Sequence, residues 1–208
     1  MTEPTIVLAS ASPRRVDLLG QLLGHSRFEM TPADIDETEV AQGFDTAPRV
    51  VSAVARAKAA EVWQPATTVV AADTVVDHQG RILGKPLDRQ DATAMLTAMR
   101  GDLVEVWSAV VVTGPSGARV DEVVGSRLII GRPDDAAIAT YVESGAADDK
   151  AGALAVQDEA RRFIDRIEGC RANVYGLPLC ATARLLAHFG VRPTAACPGC
   201  RDGELPPD

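Results

Sequence analysis

Apolar positions along the chain follow two patterns, short continuous runs and runs spaced three or four residues apart, which are typical of buried strands and amphipathic helices. Residues 6–8 form the first short run. Ser12 and Pro13 follow, residue types that favour the start of a helix, and leucines then recur at helical spacing up to Gly24. The chain is therefore predicted to begin with a strand that passes directly into a helix.

The same criteria predict alternating strands and helices in the rest of the chain. Residues 67–72 form a continuous apolar run, as in a strand covered on both faces, and this strand is expected to end at Asp73-Thr74. The remaining predicted elements are a strand at 27–30, an acidic loop at 34–39, a helix from 46 to before Pro65, a hairpin of 75–76 with 81–83, a helix at 88–99, a hairpin of 103–113 with 120–130, a helix at 133–144, a loop at 148–153, a strand at 163–167 and a helix at 177–189.

Two adjacent arginines, Arg14 and Arg15, lie in the first turn of the first helix. The positive end of the helix dipole disfavours cations there, and a bound anion would remove the conflict. The hydroxyls of Ser10 and Ser12 and the backbone N–H groups of the turn add donors that suit a phosphate. The alternative is an ordinary solvated first turn, and these residues alone leave both open.

Three further charged residues are candidates for the same chemistry. Lys58 falls on the apolar stripe of the second helix, where a lysine either extends its ammonium to solvent or meets an anion. Asp73 follows a buried strand, and ligands of open α/β sheets gather at the carboxyl ends of strands, although a capping aspartate is the alternative. Lys85 lies on a loop between Gly84 and Pro86, and this proline excludes a Walker A phosphate loop.

Composition narrows the classes of protein. The chain has 208 residues, of which 46% are hydrophobic, enough for a substantial core. Its formal net charge of −8 argues against a nucleic-acid or anionic-membrane binder, so positive charge must be local. No apolar run approaches the ~20 residues of a membrane span, and a cytoplasmic protein is expected. The acidic segment 34–39 is either a solvated loop or a source of carboxylates for a hard cation.

Four cysteines in a chain of this size do not make a disulfide framework, and Cys170 and Cys180 are expected to be small buried residues. Residues 1–191 are predicted to form a single domain and residues 192–208 a flexible tail, in which Pro and Gly are frequent. In this tail, Cys197 and Cys200 have the spacing of half a zinc site or a local disulfide, with reduced thiols in a disordered segment as the alternative.

A series of short motifs recurs in a characteristic order between Leu8 and about Phe189. The motifs are Ser10-Ala11-Ser12-Pro13-Arg14-Arg15, Asp36-Glu37, Lys58, Ala72-Asp73-Thr74, Gly84-Lys85-Pro86, Asp149-Lys150-Ala151-Gly152, Gln157 and Asn173-Val174-Tyr175-Gly176-Leu177-Pro178-Leu179. In this order the set resembles the Maf family, the septum-formation proteins that act as nucleoside triphosphate pyrophosphatases. Each motif alone is weak evidence for this resemblance, but the whole set in this order is highly specific for the family.

The resemblance implies a mixed α/β fold with an elongated, twisted central sheet flanked by helices and two lobes around an active-site cleft, often as a homodimer. It implies hydrolysis of a nucleoside triphosphate to the monophosphate and pyrophosphate with a divalent cation, Mg²⁺ or Mn²⁺. Either a water bound to this cation is the nucleophile or Asp73 deprotonates the water directly.

The resemblance also assigns roles by position. Asp73 matches the proton acceptor of the family and, with Glu37, a metal ligand. The phosphate-binding positions are matched by Ser10, Arg14, Arg15, Lys58 and Lys85. The positions that separate dTTP/UTP-type enzymes from the 7-methyl-GTP type are matched by Arg14, Thr74 and Gln157, and they place this chain with the former.

One segment departs from the family pattern. Residues 153–158 read Ala-Leu-Ala-Val-Gln-Asp, whereas the family commonly has two glycines there. Their loss restricts how closely the backbone approaches a ligand, so a broader range of nucleotides, modified ones included, is expected.

Three other functions fit the sequence less well. A nucleotide-binding regulator of cell division would not need turnover, but it would not need a carboxylate opposite its phosphate site either. A dinucleotide-dependent oxidoreductase lacks its Gly-x-Gly-x-x-Gly turn. A Ser-His-Asp hydrolase is poorly supported because His25, His78 and His188 are expected at element ends on the surface.

Overall fold

A seven-stranded sheet flanked by helices organises the computed structural model, which describes residues 5–148, 150–154, 156 and 159–194. This confirms the expected mixed α/β class. The strands are β1 Thr5–Leu8, β2 Glu29–Met30, β3 Thr67–His78, β4 Arg81–Leu83, β5 Leu103–Thr113, β6 Arg119–Ile130 and β7 Ile164–Glu168. The helices are α1 Pro13–Leu23, α2 Glu37–Ala41, α3 Ala47–Val62, α4 Arg89–Met99, α5 Asp135–Glu143, α6 Arg171–Val174 and α7 Leu179–Ala187, with 3₁₀ turns at Ala151–Ala153 and Glu159–Phe163.

The strand order is β2-β1-β3-β5-β6-β7, and β4 pairs with β3 outside this path. β1 pairs in parallel with β2 and β3, whereas every other pair is antiparallel. Both predicted hairpins are confirmed, β3 with β4 and β5 with β6. Within the described residues, no helix is long and apolar enough to cross a membrane.

The long strand β3 has one open stretch along an edge. One edge pairs with β5 from residue 69 to residue 77. The other edge pairs with β1 over residues 67–70 and with β4 over residues 76–78, which leaves residues 71–75 of that edge without a strand partner in the described part of the chain. We call this stretch the open edge; it lies between the end of β1, beside Val70, and the end of β4, beside Val76.

The prediction that the strand ends at Asp73 is wrong. Asp73 and Thr74 lie in the middle of β3, because pairing with β5 carries the strand on through the run that we predicted as a separate strand at 75–76. Asp73 does not lie at the carboxyl end of its own strand. It lies close to the carboxyl end of the neighbouring strand β1, which ends beside Val70. Asp73 therefore lies just beyond the end of a neighbouring parallel strand.

Two short helices replace predicted loops or were missed. The acidic segment 34–39 was expected to be a loop, but Asp36 caps α2 by accepting hydrogen bonds from the N–H groups of Thr38 and Glu39 at 2.9 and 3.0 Å. α6 has Cys170 at its N-cap, whose Sγ accepts from the Asn173 N–H at 3.4 Å. Cys170 is buried as expected, whereas Cys180 is half-buried.

Two further predictions concern the end of the chain and the segment near residue 150. The predicted loop at 148–153 contains the 3₁₀ turn Ala151–Ala153, where Gly152 has φ of 61° and its N–H donates to the Gly84 carbonyl at 2.9 Å. Thr194 Oγ1 donates to the Leu23 carbonyl at 2.8 Å. The remainder of the predicted tail, with Cys197 and Cys200, lies outside the described residues, as do Asp149 and Gln157.

The core divides into three clusters by sheet face. α3 packs on the face that carries Val69 and Ala71, which we call the α3 face. The second face carries two separate clusters, one around α1 and α7 and the other around α4 and α5. Thr74 and Ser108 lie on this second face between the residues of the two clusters, and Tyr175 packs against both. The second face thus has a polar seam between two apolar lobes.

Two glycines provide a paired test of this packing. A side chain at Gly114 would overlap the Phe189 ring, whereas one at Gly20, inside α1, would make only ordinary contacts, the nearest at 3.8 Å. We expect Gly114→Ala to lower the free energy of unfolding by about 1–3 kcal/mol through overpacking. Gly20→Ala is expected to raise it by about 0.5–1 kcal/mol, because alanine favours a helix interior. Urea unfolding of the two variants measures both; changes of the same sign would contradict the packing.

Candidate active site

A buried ion pair joins α3 to the middle of β3. Lys58 Nζ donates to Asp73 Oδ1 at 2.9 Å, and the side chains of both residues are 9% exposed. The same ammonium lies 2.8 Å from Oε1 of Glu37, whose side chain is 58% exposed. Of the two alternatives for Lys58, meeting an anion is therefore the one that the structure contains, and the anions are carboxylates of the protein itself.

The local sequence explains why these three side chains meet. Side chains alternate along a strand, so Asp73 follows Val69 and Ala71 onto the α3 face. Lys58 lies on the buried stripe of α3, which packs against that face. Glu37 is the first residue of α2, where a carboxylate also suits the helix dipole.

One oxygen of the Asp73 carboxylate remains available. Oδ1 accepts a hydrogen bond from Lys58. Oδ2 has no hydrogen-bond partner among the described residues, and it is not fully enclosed by protein atoms. Asp73 also lies level with the open edge of β3, where no neighbouring strand covers it. The carboxylate is thus fixed at one oxygen and open at the other, which is an arrangement suited to a proton acceptor.

Arg15 approaches the same edge from the second face. Its Nε donates to the Gly176 carbonyl at 2.9 Å and its Nη2 to Thr74 Oγ1 at 3.3 Å, and Nη1 lies 3.5 Å from Ser10 Oγ. Burial lowers the pKa of the Arg15 guanidinium below its ordinary value, Asp73 and Glu37 oppose this effect, and Arg14 adds to it. The carboxylates on one face and the guanidinium on the other therefore interact around the open edge.

The turn before α1 keeps donors available for an anion. Ser10 is buried, and its Oγ accepts from the Ser12 N–H at 3.1 Å. Ser12 occupies the N-cap position, but its side chain makes no capping hydrogen bond. The first N–H groups of α1 consequently lack the hydroxyl acceptor that this residue type often supplies. The observation favours the anion-binding interpretation of the turn over an ordinary capped helix.

Two more predicted cations belong to segments adjoining the open edge, Arg14 to α1 beside Arg15 and Lys85 to the segment after β4. Arg14 is half-buried and Lys85 exposed, and neither forms an ion pair or hydrogen bond with the described residues. Lys85 comes two residues after Leu83, which pairs with Val76. Because β4 is antiparallel to β3, the chain beyond Leu83 runs back towards the level of Thr74, at the open edge.

The predicted specificity residues do not all share the face of Asp73. Thr74 Oγ1 lies on the second face, 2.8 Å from Ser108 Oγ, with Arg15 as its other close partner. Arg14 lies in α1, which packs on that same face. Gln157 falls outside the described residues, so its position relative to Thr74 stays a prediction.

Two residues that contact the candidate site residues, Ser108 and Gly176, were not identified from the sequence. Ser108 is fully buried and links Thr74 to the Asn173 carbonyl at 3.3 Å, and the Gly176 carbonyl holds Arg15. A hydroxyl inside the apolar strand 106–112 was a usable signal for Ser108, because buried polar groups are normally hydrogen-bonded. Gly176 belonged to a quoted motif but received no role; its φ of 104° is one that glycine adopts readily.

The donor set fits a hard divalent cation shared with a substrate. Within the described part of the chain, no three or more His, Cys, Asp or Glu side chains are grouped to enclose a metal by themselves. Asp73 and Glu37 each keep one carboxylate oxygen that Lys58 does not engage. Mg²⁺ is usually bound by one or two carboxylates together with substrate phosphates and water. Two carboxylates beside a phosphate site meet that requirement.

The histidines do not form a nucleophile triad in the described residues. His78 Nε2 lies 2.9 Å from Asp102 Oδ2, and this carboxylate also accepts from Gln79 Nε2. No serine hydroxyl lies within hydrogen-bond distance of His78 among these residues. The pair closes the β3–β4 hairpin onto the start of β5, which is a structural role.

Comparisons with known proteins show a family and several similar proteins. A family model described as Maf-like protein matches residues 5–189. The chain is 44% identical over 190 residues to a dTTP/UTP pyrophosphatase of Anaeromyxobacter dehalogenans, covering 90% of this chain and 95% of that protein. It is 41% identical over 188 residues to a dTTP/UTP pyrophosphatase of Pelotomaculum thermopropionicum, covering 89% and 96%. Among solved structures, the Staphylococcus aureus Ham1 protein is similar with a TM-score of 0.43 and 14% identity, covering 76% of this chain and 93% of that chain.

The buried ion pair is testable through stability. Lys58→Met leaves the Asp73 carboxylate buried without its ammonium, and we expect the free energy of unfolding to fall by about 3 kcal/mol. Adding Asp73→Asn to Lys58→Met is expected to recover part of this loss, because the uncompensated charge is then removed. Urea unfolding of both single variants and the double variant measures the recovery.

Arg49→Met is the matched control. Arg49 pairs with Asp45 at 3.3 Å, but their side chains are 69% and 77% exposed, so the loss should be far smaller. Equal losses for Lys58→Met and Arg49→Met, or no recovery in the double variant, would contradict a buried, compensated pair.

Proposed function

The chain belongs to the Maf family, and we propose that it is a nucleoside triphosphate pyrophosphatase acting on dTTP, UTP or related nucleotides, modified ones included. The observation that carries the proposal is the Asp73 carboxylate, fixed at Oδ1 by Lys58 and available at Oδ2, beside a set of cations around the open edge. A site that only bound a nucleotide would gain nothing from a buried carboxylate facing its phosphates. The names of the relatives support the same activity.

The proposed reaction is attack of water on the α-phosphorus. Asp73 accepts one proton of the water, whose oxygen forms a new bond to the α-phosphorus. The bond from that phosphorus to the oxygen bridging to the β-phosphorus breaks, and its electron pair leaves with pyrophosphate. Arg14, Arg15 and Lys85 neutralise the charge that develops on pyrophosphate, while Ser10 and the first turn of α1 hold its oxygens.

We further propose that Asp73 and Glu37 hold a divalent cation, Mg²⁺ or Mn²⁺, together with the substrate phosphates. Such a cation supplies neutralisation of phosphate charge and a lowered pKa of bound water. Lys58 lies between the two carboxylates, so its contribution is to fix their separation and orientation.

Base selection is proposed to involve Arg14, Thr74 and Gln157. Thr74 lies in the seam between the two lobes of the second face, and Arg14 belongs to the helix beside that seam. This supports binding of the nucleoside on the second face, with the phosphates extending around the open edge towards Asp73.

The rest of the proposal concerns assembly. The acidic chain, with a net charge of −8, supports a small nucleotide and not a nucleic acid as ligand. From the family resemblance we propose a single catalytic domain over residues 1–191 that acts as a homodimer in the cytoplasm.

The deciding experiment is a panel of natural and modified triphosphates with Mg²⁺ or Mn²⁺, in which pyrophosphate and orthophosphate are measured separately. Pyrophosphate and a nucleoside monophosphate are the expected products, fastest with dTTP and UTP. Mainly orthophosphate would overturn attack at the α-phosphorus. Binding of nucleotides without any turnover would favour the alternative, a nucleotide-binding regulator.

Asp73→Asn is expected to lower turnover by about 10²–10⁴-fold, because an amide cannot accept a proton from water. Nucleotide affinity should persist, since the cations around the open edge remain. Asp77→Asn is a matched control on the same strand and face; Asp77 Oδ1 accepts from the Gly80 N–H in the hairpin. We expect its turnover to stay close to that of the wild type. Near-wild-type turnover of Asp73→Asn would move the search for the base to Asp36, Glu37 and Asp149.

The double variant Thr74→Gln with Gln157→Glu tests specificity. A carboxylate cannot supply the N–H donors of the Gln157 amide, so kcat/KM for dTTP and UTP should fall relative to 7-methyl-GTP. The Mg²⁺ concentration needed for half-maximal activity should change little. An unchanged ranking of the three nucleotides would show that selection resides elsewhere.

A further inference from the structure

A line of hydrogen bonds connects Arg15 to the buried interior of the sheet. From it we propose that Ser108, through Thr74, positions the Arg15 guanidinium to bind the phosphate chain of the substrate. The proposal rests on the proposed function for the identity of the ligand. Ser108 is 0% exposed and does not itself touch the phosphates, so its role is that of a positioning residue.

One direction satisfies all three contacts of this line. The Asn173 carbonyl can only accept, so the 3.3 Å contact uses the one proton of Ser108 Oγ. In that arrangement Ser108 accepts at its 2.8 Å contact with Thr74, and the Thr74 hydroxyl is the donor. Thr74 Oγ1 therefore presents lone pairs to Arg15 Nη2 at 3.3 Å. The order is Arg15 to Thr74 to Ser108 to the Asn173 carbonyl.

Without Ser108 the Thr74 proton loses its short partner. The other acceptor near Thr74 Oγ1 is the Gly176 carbonyl, at 3.5 Å. This carbonyl already accepts from Arg15 Nε at 2.9 Å. The Gly176 oxygen has two lone pairs and can accept from both, but a Thr74 hydroxyl turned to this longer contact would redirect the lone pairs that it presents to Arg15 Nη2. Ser108 thus fixes the orientation of the Thr74 hydroxyl that accepts from Arg15.

The fixed guanidinium retains capacity for a ligand. Arginine has five N–H donors, of which Nε, one on Nη1 and one on Nη2 point to Gly176, Ser10 and Thr74. One N–H on each Nη nitrogen is left for phosphate oxygens. Holding a flexible cation in place before the ligand arrives lowers the entropic cost of binding.

The test uses inorganic tripolyphosphate, a probe without base or ribose, and calorimetric titration. Ser108→Ala should weaken its binding by about five- to tenfold, the range for one misplaced charge-assisted contact. With a nucleotide substrate, KM should rise with little change in kcat. Ser108→Thr, which keeps the hydroxyl on a strand residue, should restore both. Since tripolyphosphate binding needs no turnover, failure of this proposal is distinguishable from failure of the proposed activity.

Ser126→Ala is the matched control. Ser126 is also a buried serine beside Asn173: it accepts from Asn173 Nδ2 at 2.9 Å and donates to the Cys170 carbonyl at 3.0 Å. Its loss removes two buried hydrogen bonds without touching Thr74 or Arg15. We expect Ser126→Ala to lower the melting temperature as much as Ser108→Ala does, with tripolyphosphate affinity unchanged.

Thr74→Val supplies a second route that does not depend on the folding of Ser108→Ala. It keeps the branched shape and removes the acceptor of Arg15, so the same loss of tripolyphosphate affinity is expected. Both substitutions interrupt the same series of hydrogen bonds. The double variant should therefore bind tripolyphosphate no more weakly than the single variant with the lower affinity. Additive losses, wild-type affinity in Thr74→Val, or equal affinity losses in Ser108→Ala and Ser126→Ala would overturn the proposal.

Discussion

A carboxylate inside a sheet needs a compensating charge, and in this chain that charge is the ammonium of Lys58. An isolated buried carboxylate would be too costly to keep ionised, whereas a direct ion pair with an equally buried lysine makes it tolerable. The pair requires α3 to lie on the α3 face at one rotation, with Lys58 above Asp73. The apolar residues of α3 enforce that rotation, so the packing of the helix and the position of the charge depend on each other.

The open edge of β3 turns this pair into a site. A strand paired on both edges throughout would bury Asp73 in a continuous sheet, but β1 ends beside Val70 and the antiparallel β4 ends beside Val76. At this interruption, side chains from both faces of the sheet come close together. Lys58 and Glu37 lie on the α3 face and Arg15 on the second face. The carboxylates of Asp73 and Glu37 are near enough to the Arg15 guanidinium to raise its pKa against the effect of burial.

Periodicity predicted most of the fold because burial decides it locally. The stripe of α3 and the alternation in β5 and β6 required no knowledge of distant partners. The end of β3 was mispredicted because strand length depends on pairing with β5, and the pairs that extend β3 beyond Asp73 join residues 28 to 34 positions apart. α2 was missed because a helix of five residues with no buried side chain leaves no apolar periodicity in the sequence. For the site, charges at unusual positions, such as Lys58 on an apolar stripe, were informative. Ser108 and the Gly176 carbonyl were not identified, because their roles arise only from tertiary contacts.

Negative and positive side chains occupy different parts of the candidate site, and this arrangement limits where a polyanion could bind. Lys58 faces two carboxylates, so this trio carries a formal net charge of −1 and repels phosphate. Arg14, Arg15 and Lys85 face no carboxylate in an ion pair among the described residues and attract phosphate. Under the proposed function, a triphosphate would therefore be attracted to Arg14, Arg15 and Lys85 and repelled by Asp73 unless further positive charge lay between them. A divalent cation is what such a boundary favours, because it attracts the carboxylates and the phosphates alike.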